Sequence, residues 1–231
     1  LTDLWSGRGK FYSTVAFYSI AAMSAFHLNQ LRFGLTGQPL ENNIYRLMDG
    51  TAHAPFQYRT LIPWIANLIL RVWEMFAGLP PVSPEALFQF LELLSFFLLL
   101  LAVRHYVSLF LGNDLGGILA SILVIHALLF HYILPRADPL WYVHWFPFDI
   151  PAVLFITVGL IFIHEKKWMY YYPLLVVATL NRETSIFLIL AYVLTSLGRA
   201  RSRTVVAHVC WQFVLWAAIK LMIFEIYIDN P

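Results

Sequence analysis

The residues able to do chemistry in this 231-residue chain fall into three polar stretches. The first runs from Asp49 to Pro63 and carries Asp49, His53 and Arg59, with Glu41 shortly upstream. The second holds Arg136, Asp138, His144 and Asp149, and the third is the tetrad Asn181-Arg182-Glu183-Thr184. Carboxylates interleaved with arginines suit a phosphate-bearing ligand with a proton to remove. Guanidinium forks grip phosphate oxygens in pairs, while a carboxylate acts as general base or holds a divalent metal. Asp49, Asp138 and Asp149 are therefore the candidate catalytic residues. Glu41, Arg59, Arg182 and Glu183 are the candidate substrate contacts.

Several of these residues also have a plain structural reading. Asp149, just before Ile150-Pro151, makes a good helix start. Asp138 in Ala137-Asp138-Pro139 suits a turn, and Arg182 and Glu183 could neutralise one another where two helices meet. Arg71 and Glu74, spaced i, i+3, are expected to pair on a helix face. His126 and His131 are five residues apart and so lie on different faces of one helix; they read as polar residues of a helix rather than haem ligands. No Cys-x-x-Cys-His, phosphate-loop or zinc-finger spacing occurs, and the lone Cys210 can form no internal disulfide.

The elements that must position these residues are those of a membrane protein. Hydrophobic residues make up 60% of the chain and charged ones 12%, against roughly 25% charged in soluble domains. A soluble core could not hide that much apolar surface. Net charge is only +2, and the positive residues gather in small clusters at segment ends, so no nucleic-acid partner is implied. The expected fold is all-α and polytopic, a single transmembrane domain over 1–231 with about seven transmembrane helices.

Apolar runs cover Phe11–Asn29, Ala86–His105, Leu115–Leu134, Asp149–Ile163 and Val205–Glu225. Ser83-Pro84-Glu85 is a helix start with serine as cap, proline in the first turn and an acid facing the dipole. Gly7–Lys10, Arg104-His105, Lys166-Lys167 and Arg199–Arg203 all fall on the cytoplasmic side by the positive-inside rule. That bookkeeping works only if Thr60–Gly78 is an interfacial helix in the first outer loop. It also requires Trp168–Leu197 to go out and back, turning at Asn181–Thr184; the alternative is one long tilted helix with Arg182 and Glu183 buried mid-membrane. The polar stretches then share the outer face, and the N-terminus is cytoplasmic.

This order of parts resembles the C-type (GT-C) superfamily of integral-membrane glycosyltransferases, which includes protein O-mannosyltransferases and lipid A aminoarabinose transferases. A first span is followed by a long acidic outer loop with non-spanning helices, a span ending in Val103-Arg104-His105, a small-residue span and a second acidic outer loop. The pieces Pro55-Phe56-Gln57-Tyr58-Arg59-Thr60-Leu61-Ile62-Pro63 and Leu180-Asn181-Arg182-Glu183-Thr184 are similar to sequences in poorly characterised bacterial members.

The resemblance implies an enzyme of the bacterial inner membrane that takes a sugar from a polyprenyl-phosphate donor at the outer face. It makes Asp49 the base, with Glu41 as competitor, and Asp138 or Asp149 the second acid, with a divalent metal possible. Arg59 and Arg182 become the phosphate contacts, and the partners are membrane lipid and the polyprenyl-phosphate-linked sugar. Known members continue into further spans and often a soluble domain, and several carry a paired acid in the first loop that this chain lacks. The 231 residues are thus expected to be the N-terminal module of a longer protein or a shortened relative. The competing expectation is a non-catalytic subunit bound to other membrane-protein subunits in an electron-transfer or photosynthetic complex, suggested by the load of tryptophan and phenylalanine. A transporter is disfavoured because no inverted repeat shows.

Overall fold

A computed structural model of the chain describes residues 7–35, 43–76, 78, 80–132, 146–198 and 201–228. The described residues are helical, with no strand among them. They form two compact units, one built from residues 1–37 and 91–145 and the other from 38–90 and 146–231.

The first unit contains α1 (Gly7–Leu35), most of α4 (Pro84–Leu111) and α5 (Asp114–Tyr132). Its core joins Phe17 and Ala21 of α1 to Leu100 of α4, with Ile118 and Ile125 of α5 packed against them. α4 begins where Ser83-Pro84-Glu85 predicts, with the Ser83 Oγ accepting from the Ala86 amide at 3.2 Å. Gly112, at φ 64°, takes the left-handed turn out of α4, a conformation glycine adopts without cost. Asn113 then caps α5 by accepting from the Gly116 amide at 2.8 Å. Gly117 lets the helices close: a Cβ there would lie 2.4 Å from the Arg104 carbonyl oxygen. One turn further along, the Ser121 hydroxyl donates to the Leu100 carbonyl at 3.1 Å.

The sequence ends the first helix near Asn29, but α1 continues to Leu35. The reason is tertiary. Arg32, fully buried on that extra stretch, lies 2.9 Å from the equally buried Glu92 of α4. A charge that is costly to bury when unpaired is accommodated within the helix by its counter-charge.

The second unit contains α2 (Ile44–Asp49), α3 (Leu61–Glu74), the first turns of α4, α6 (Asp149–His164), α7 (Trp168–Asn181), α8 (Ile186–Ser196) and α9 (Ser202–Ile226). Tyr171, Leu175 and Ala178 of α7 form its core with Ile163 of α6 and Leu188 and Tyr192 of α8. Gly159 of α6 allows the approach of α8, since a Cβ there would stand 2.5 Å from a methyl of the buried Leu188. α9 is tied on by the Tyr171 hydroxyl donating to the Gln212 side chain at 2.9 Å and by the Tyr172–His208 contact at 2.6 Å.

The stretch 168–197 is two helices, not one. The backbone of Arg182 is extended, at φ −161° and ψ 146°, and breaks the run where the polar tetrad predicts. α3 buries Leu61, Ile62, Pro63 and Ala66 and leaves Trp64, Leu68 and Val72 exposed. Arg71 and Glu74 on α3 stay exposed, and no ion pair joins them.

Two helices among the described residues, α4 with 28 residues and α9 with 25, are long and apolar enough to cross a membrane. α6 and α8 are apolar but short, at 16 and 11 residues. At 1.5 Å per residue these reach about 24 and 17 Å, less than the ~30 Å hydrocarbon core.

Candidate functional site

The tetrad at 181–184 is the hub of the second unit. Four segments reach it: the end of α7, the Phe56–Arg59 turn, the start of α6, and α9. The Thr60 amide donates to the Leu180 carbonyl at 3.0 Å, fixing the start of α3 to the end of α7. Asn181, fully buried, donates from its side chain to the Phe148 carbonyl at 3.0 Å. These two bonds hold the extended Arg182 backbone and aim successive side chains in different directions.

Arg182 and Glu183 do not neutralise one another. Arg182 Nη1 donates to Asp149 Oδ1 at 2.9 Å. Glu183 is gripped by Arg59, whose Nη2 stands 2.7 Å from Oε1 and whose Nε stands 3.4 Å from Oε2. Adjacent residues therefore form two ion pairs with partners on separate elements. The buried ring of Phe148 lies beneath both guanidinium groups, 4.6 Å from the Arg59 carbon and 6.0 Å from that of Arg182. Phe56 and Phe146 stack at 4.6 Å beside it, so the pairs rest on an aromatic floor that excludes water from one side and adds cation–π attraction.

A third cation completes the cluster. Lys220, on α9, lies within electrostatic reach of Glu183 and Arg59. Its ammonium is buried and makes no hydrogen bond among the described residues. Three other buried polar atoms around the tetrad share that state: Thr60 Oγ1, Asn181 Oδ1 and Arg182 Nε. Buried polar groups nearly always find partners, so such a concentration marks a place for water, an ion or a polar ligand. With three cations against Asp149 and Glu183, the cluster carries one surplus positive charge.

The Glu183 carboxyl is in the turn between α7 and α8. Burial opposes its ionisation, but the hydrogen bond from Arg59 and its own helix-start amide outweigh that and hold it below the usual glutamate range. Glu183 and Arg182 keep side-chain exposures of 42% and 28%, so the cluster has an open edge.

No protein-family model, characterised protein or solved structure matches the chain. What the cluster can do follows from its own geometry.

The structure brings together Arg59, Asp149, Arg182 and Glu183, four of the seven residues singled out in the sequence. Asp149 is the first residue of α6 rather than its cap, which is Phe148, and its carboxylate is turned to Arg182. Asp49 is elsewhere in the same unit. It is exposed at the last turn of α2, and its carboxylate makes no hydrogen bond or ion pair among the described residues. Next to it, Gly50 caps α2 at φ 72° and lies against Tyr227 at the end of α9, two turns beyond Lys220. Glu41 and Asp138 lie outside the described residues. Among the described residues no three metal-ligating side chains gather, and both carboxylates of the cluster are engaged by arginines. This donor set does not fit a divalent metal.

Lys220 is the residue that sequence reading missed. Its signal was available: it is the single lysine within the apolar run of α9, and an ionisable group at such a position is a functional candidate by default. The Arg32–Glu92 pair carries the same signal in the first unit.

Proposed function

We propose that this chain is an all-α, multi-pass protein of the bacterial inner membrane that acts as a glycosyltransferase, taking a sugar from a polyprenyl-phosphate donor at the outer face. About seven spans with a cytoplasmic N-terminus put the tetrad and the Asp49–Pro63 stretch on that face. α3 lies along the interface.

The observation that carries the reading is the buried, surplus-positive cluster in which Lys220 Nζ and Arg182 Nε lack hydrogen-bond acceptors. A phosphate supplies such acceptors. Hydrogen bonds from fixed, poorly hydrated cations stabilise charge that grows on a leaving phosphate, and they need no reorganisation as the bond breaks. Arg59 and Arg182 are held in place by Glu183 and Asp149, so in this reading the carboxylates orient the phosphate-binding forks.

Asp49 supports the reading by its placement. A carboxylate at the C-terminal end of a helix is disfavoured by the dipole, and Asp49 caps nothing, so helix stability does not explain it. As general base it takes the proton of the acceptor hydroxyl. The hydroxyl oxygen bonds to the anomeric carbon of the sugar, the bond from that carbon to the phosphate oxygen breaks, and the electron pair leaves with the lipid phosphate against the cations.

The test is sugar transfer from polyprenyl-phosphate-linked sugars in membranes carrying the protein. Asp49→Asn abolishes transfer while membrane insertion and detergent-solution stability stay at wild-type levels. Undiminished transfer by that variant removes Asp49 from the mechanism. Co-purification of the untagged chain with a fixed set of partners, and no transfer, favours the subunit reading.

A further inference from the structure

A second site stands in the other unit, where α1, α4 and α5 meet. A polar cavity of about 250 Å³ is lined by Thr14, Tyr18, Arg104, His105, Ser108 and Asp114. Beside it is an almost wholly apolar cavity of about 230 Å³, lined by Phe17, Ile20, Leu100, Ile118, Ile122 and Ile125 among others. On α1 the two lie side by side, Thr14 and Tyr18 facing the polar cavity and the exposed Ala16 with Phe17 and Ile20 the apolar one, while on α4 and α5 they follow one another along the helix. On α5 the polar cavity takes Asp114, and the apolar one takes Ile118, Ile122 and Ile125, one to three turns on. On α4 Leu100 lies one turn from Arg104.

Depth fits this polarity. Arg104 is 20 residues from the start of α4 at Pro84, about 30 Å along the helix axis, which is the thickness of a hydrocarbon core. With α4 across the bilayer, the polar cavity falls at headgroup level and the apolar groove runs inward from it. Arg104 is fixed for its position: the guanidinium lies 4.4 Å from the centre of the Phe17 ring and donates to Asp114 Oδ2 at 3.2 Å. That single bond leaves most of its five donors for another acceptor.

We infer that the cleft between α1, α4 and α5 binds one zwitterionic phospholipid, its phosphate on Arg104, its ammonium on Asp114, and one acyl chain along Phe17, Leu100, Ile118 and Ile122. Charge complementarity selects this occupant. A cation and a carboxylate held side by side match the phosphate–ammonium pair of phosphatidylethanolamine, whereas an anionic lipid meets Asp114 as a repulsive neighbour. The groove supplies what inorganic phosphate cannot use.

The site rests on α4 lying across a bilayer and is independent of sugar transfer. Loss of lipid binding leaves the transferase reading standing, and failed transfer leaves this site standing. Native mass spectrometry of the full chain released from nanodiscs of equal phosphatidylethanolamine and phosphatidylglycerol reads it directly. Wild type retains one phosphatidylethanolamine at least tenfold in excess over phosphatidylglycerol. Asp114→Asn removes that preference, and Arg104→Gln reduces retention of both lipids tenfold. Ala16→Trp, a change on the exposed wall of the apolar groove, reduces retention without touching a charge and covers the case in which Arg104→Gln does not fold. Millimolar inorganic phosphate displaces nothing. Equal retention of the two lipids by wild type, or retention unchanged in both Asp114→Asn and Ala16→Trp, overturns the proposal.

Discussion

Arg59 and Glu183, 124 positions apart in the chain, face each other through a two-pronged contact, with Nη2–Oε1 at 2.7 Å and Nε–Oε2 at 3.4 Å. The arginine is buried and stacked on Phe148, while the glutamate keeps an open edge. The pair joins the turn before α3 to the turn before α8. Its partner contact, Arg182–Asp149, joins the end of α7 to the start of α6.

Removing Glu183 leaves a buried guanidinium with no counter-charge. Breaking a fully buried pair costs about 3–5 kcal/mol, and the partial exposure of Glu183 brings the expected loss for Glu183→Gln to roughly 1–3 kcal/mol. Denaturant titration in detergent reads it, and a double-mutant cycle with Arg59→Gln gives a coupling of at least about 1 kcal/mol. The carboxyl is depressed in the folded state, so its contribution is fully present above the unfolded glutamate value of about 4.3. It is lost as pH falls further, through the lower folded value. The stability difference between wild type and Glu183→Gln is therefore constant from pH 7 to 5 and shrinks only below about 4. A difference that already shrinks near pH 6 counts against the pair.

Lys220 predicts a trade of stability for binding. A buried ammonium without a hydrogen-bond acceptor is costly, and an apolar side chain of similar length is tolerated there. Lys220→Met is expected to unfold at the same or higher temperature than wild type while binding a polyprenyl monophosphate about tenfold or more weakly, the value of one hydrogen bond from a charged group. Equal affinity with lower stability makes Lys220 a structural cation.

Gly117 tests the close approach of α4 and α5. A methyl at Gly117 would collide with backbone, the Arg104 carbonyl, which cannot swing aside as a side chain can. Gly117→Ala is expected to destabilise by about 1–3 kcal/mol, measured by thermal unfolding in detergent. Gly34→Ala, at a site with nothing within 4 Å, serves as the control and is expected to be neutral or slightly stabilising.

Composition and local pattern determined much of this protein. Sixty per cent hydrophobic residues favour helices, which satisfy their backbone within one segment, and two of these helices are long and apolar enough to cross a membrane. Ser83-Pro84-Glu85 set the start of α4, and the four polar residues at 181–184 marked the break between α7 and α8. Those are local effects, decided within a few residues. Pairing is not local. Nothing in the order Asn-Arg-Glu-Thr tells that Arg182 turns to Asp149 while Glu183 turns to Arg59. The extended Arg182 backbone and the Asn181–Phe148 bond decide it, and both require α6 and α7 already packed. The same holds for the last turns of α1, which persist because Glu92 receives Arg32, and for Lys220, which gains meaning only when α9 brings it beside the tetrad. Charge identity is written in the chain; which charges meet is a property of the packed helices, since the Coulomb and desolvation terms that choose partners act through space rather than along sequence.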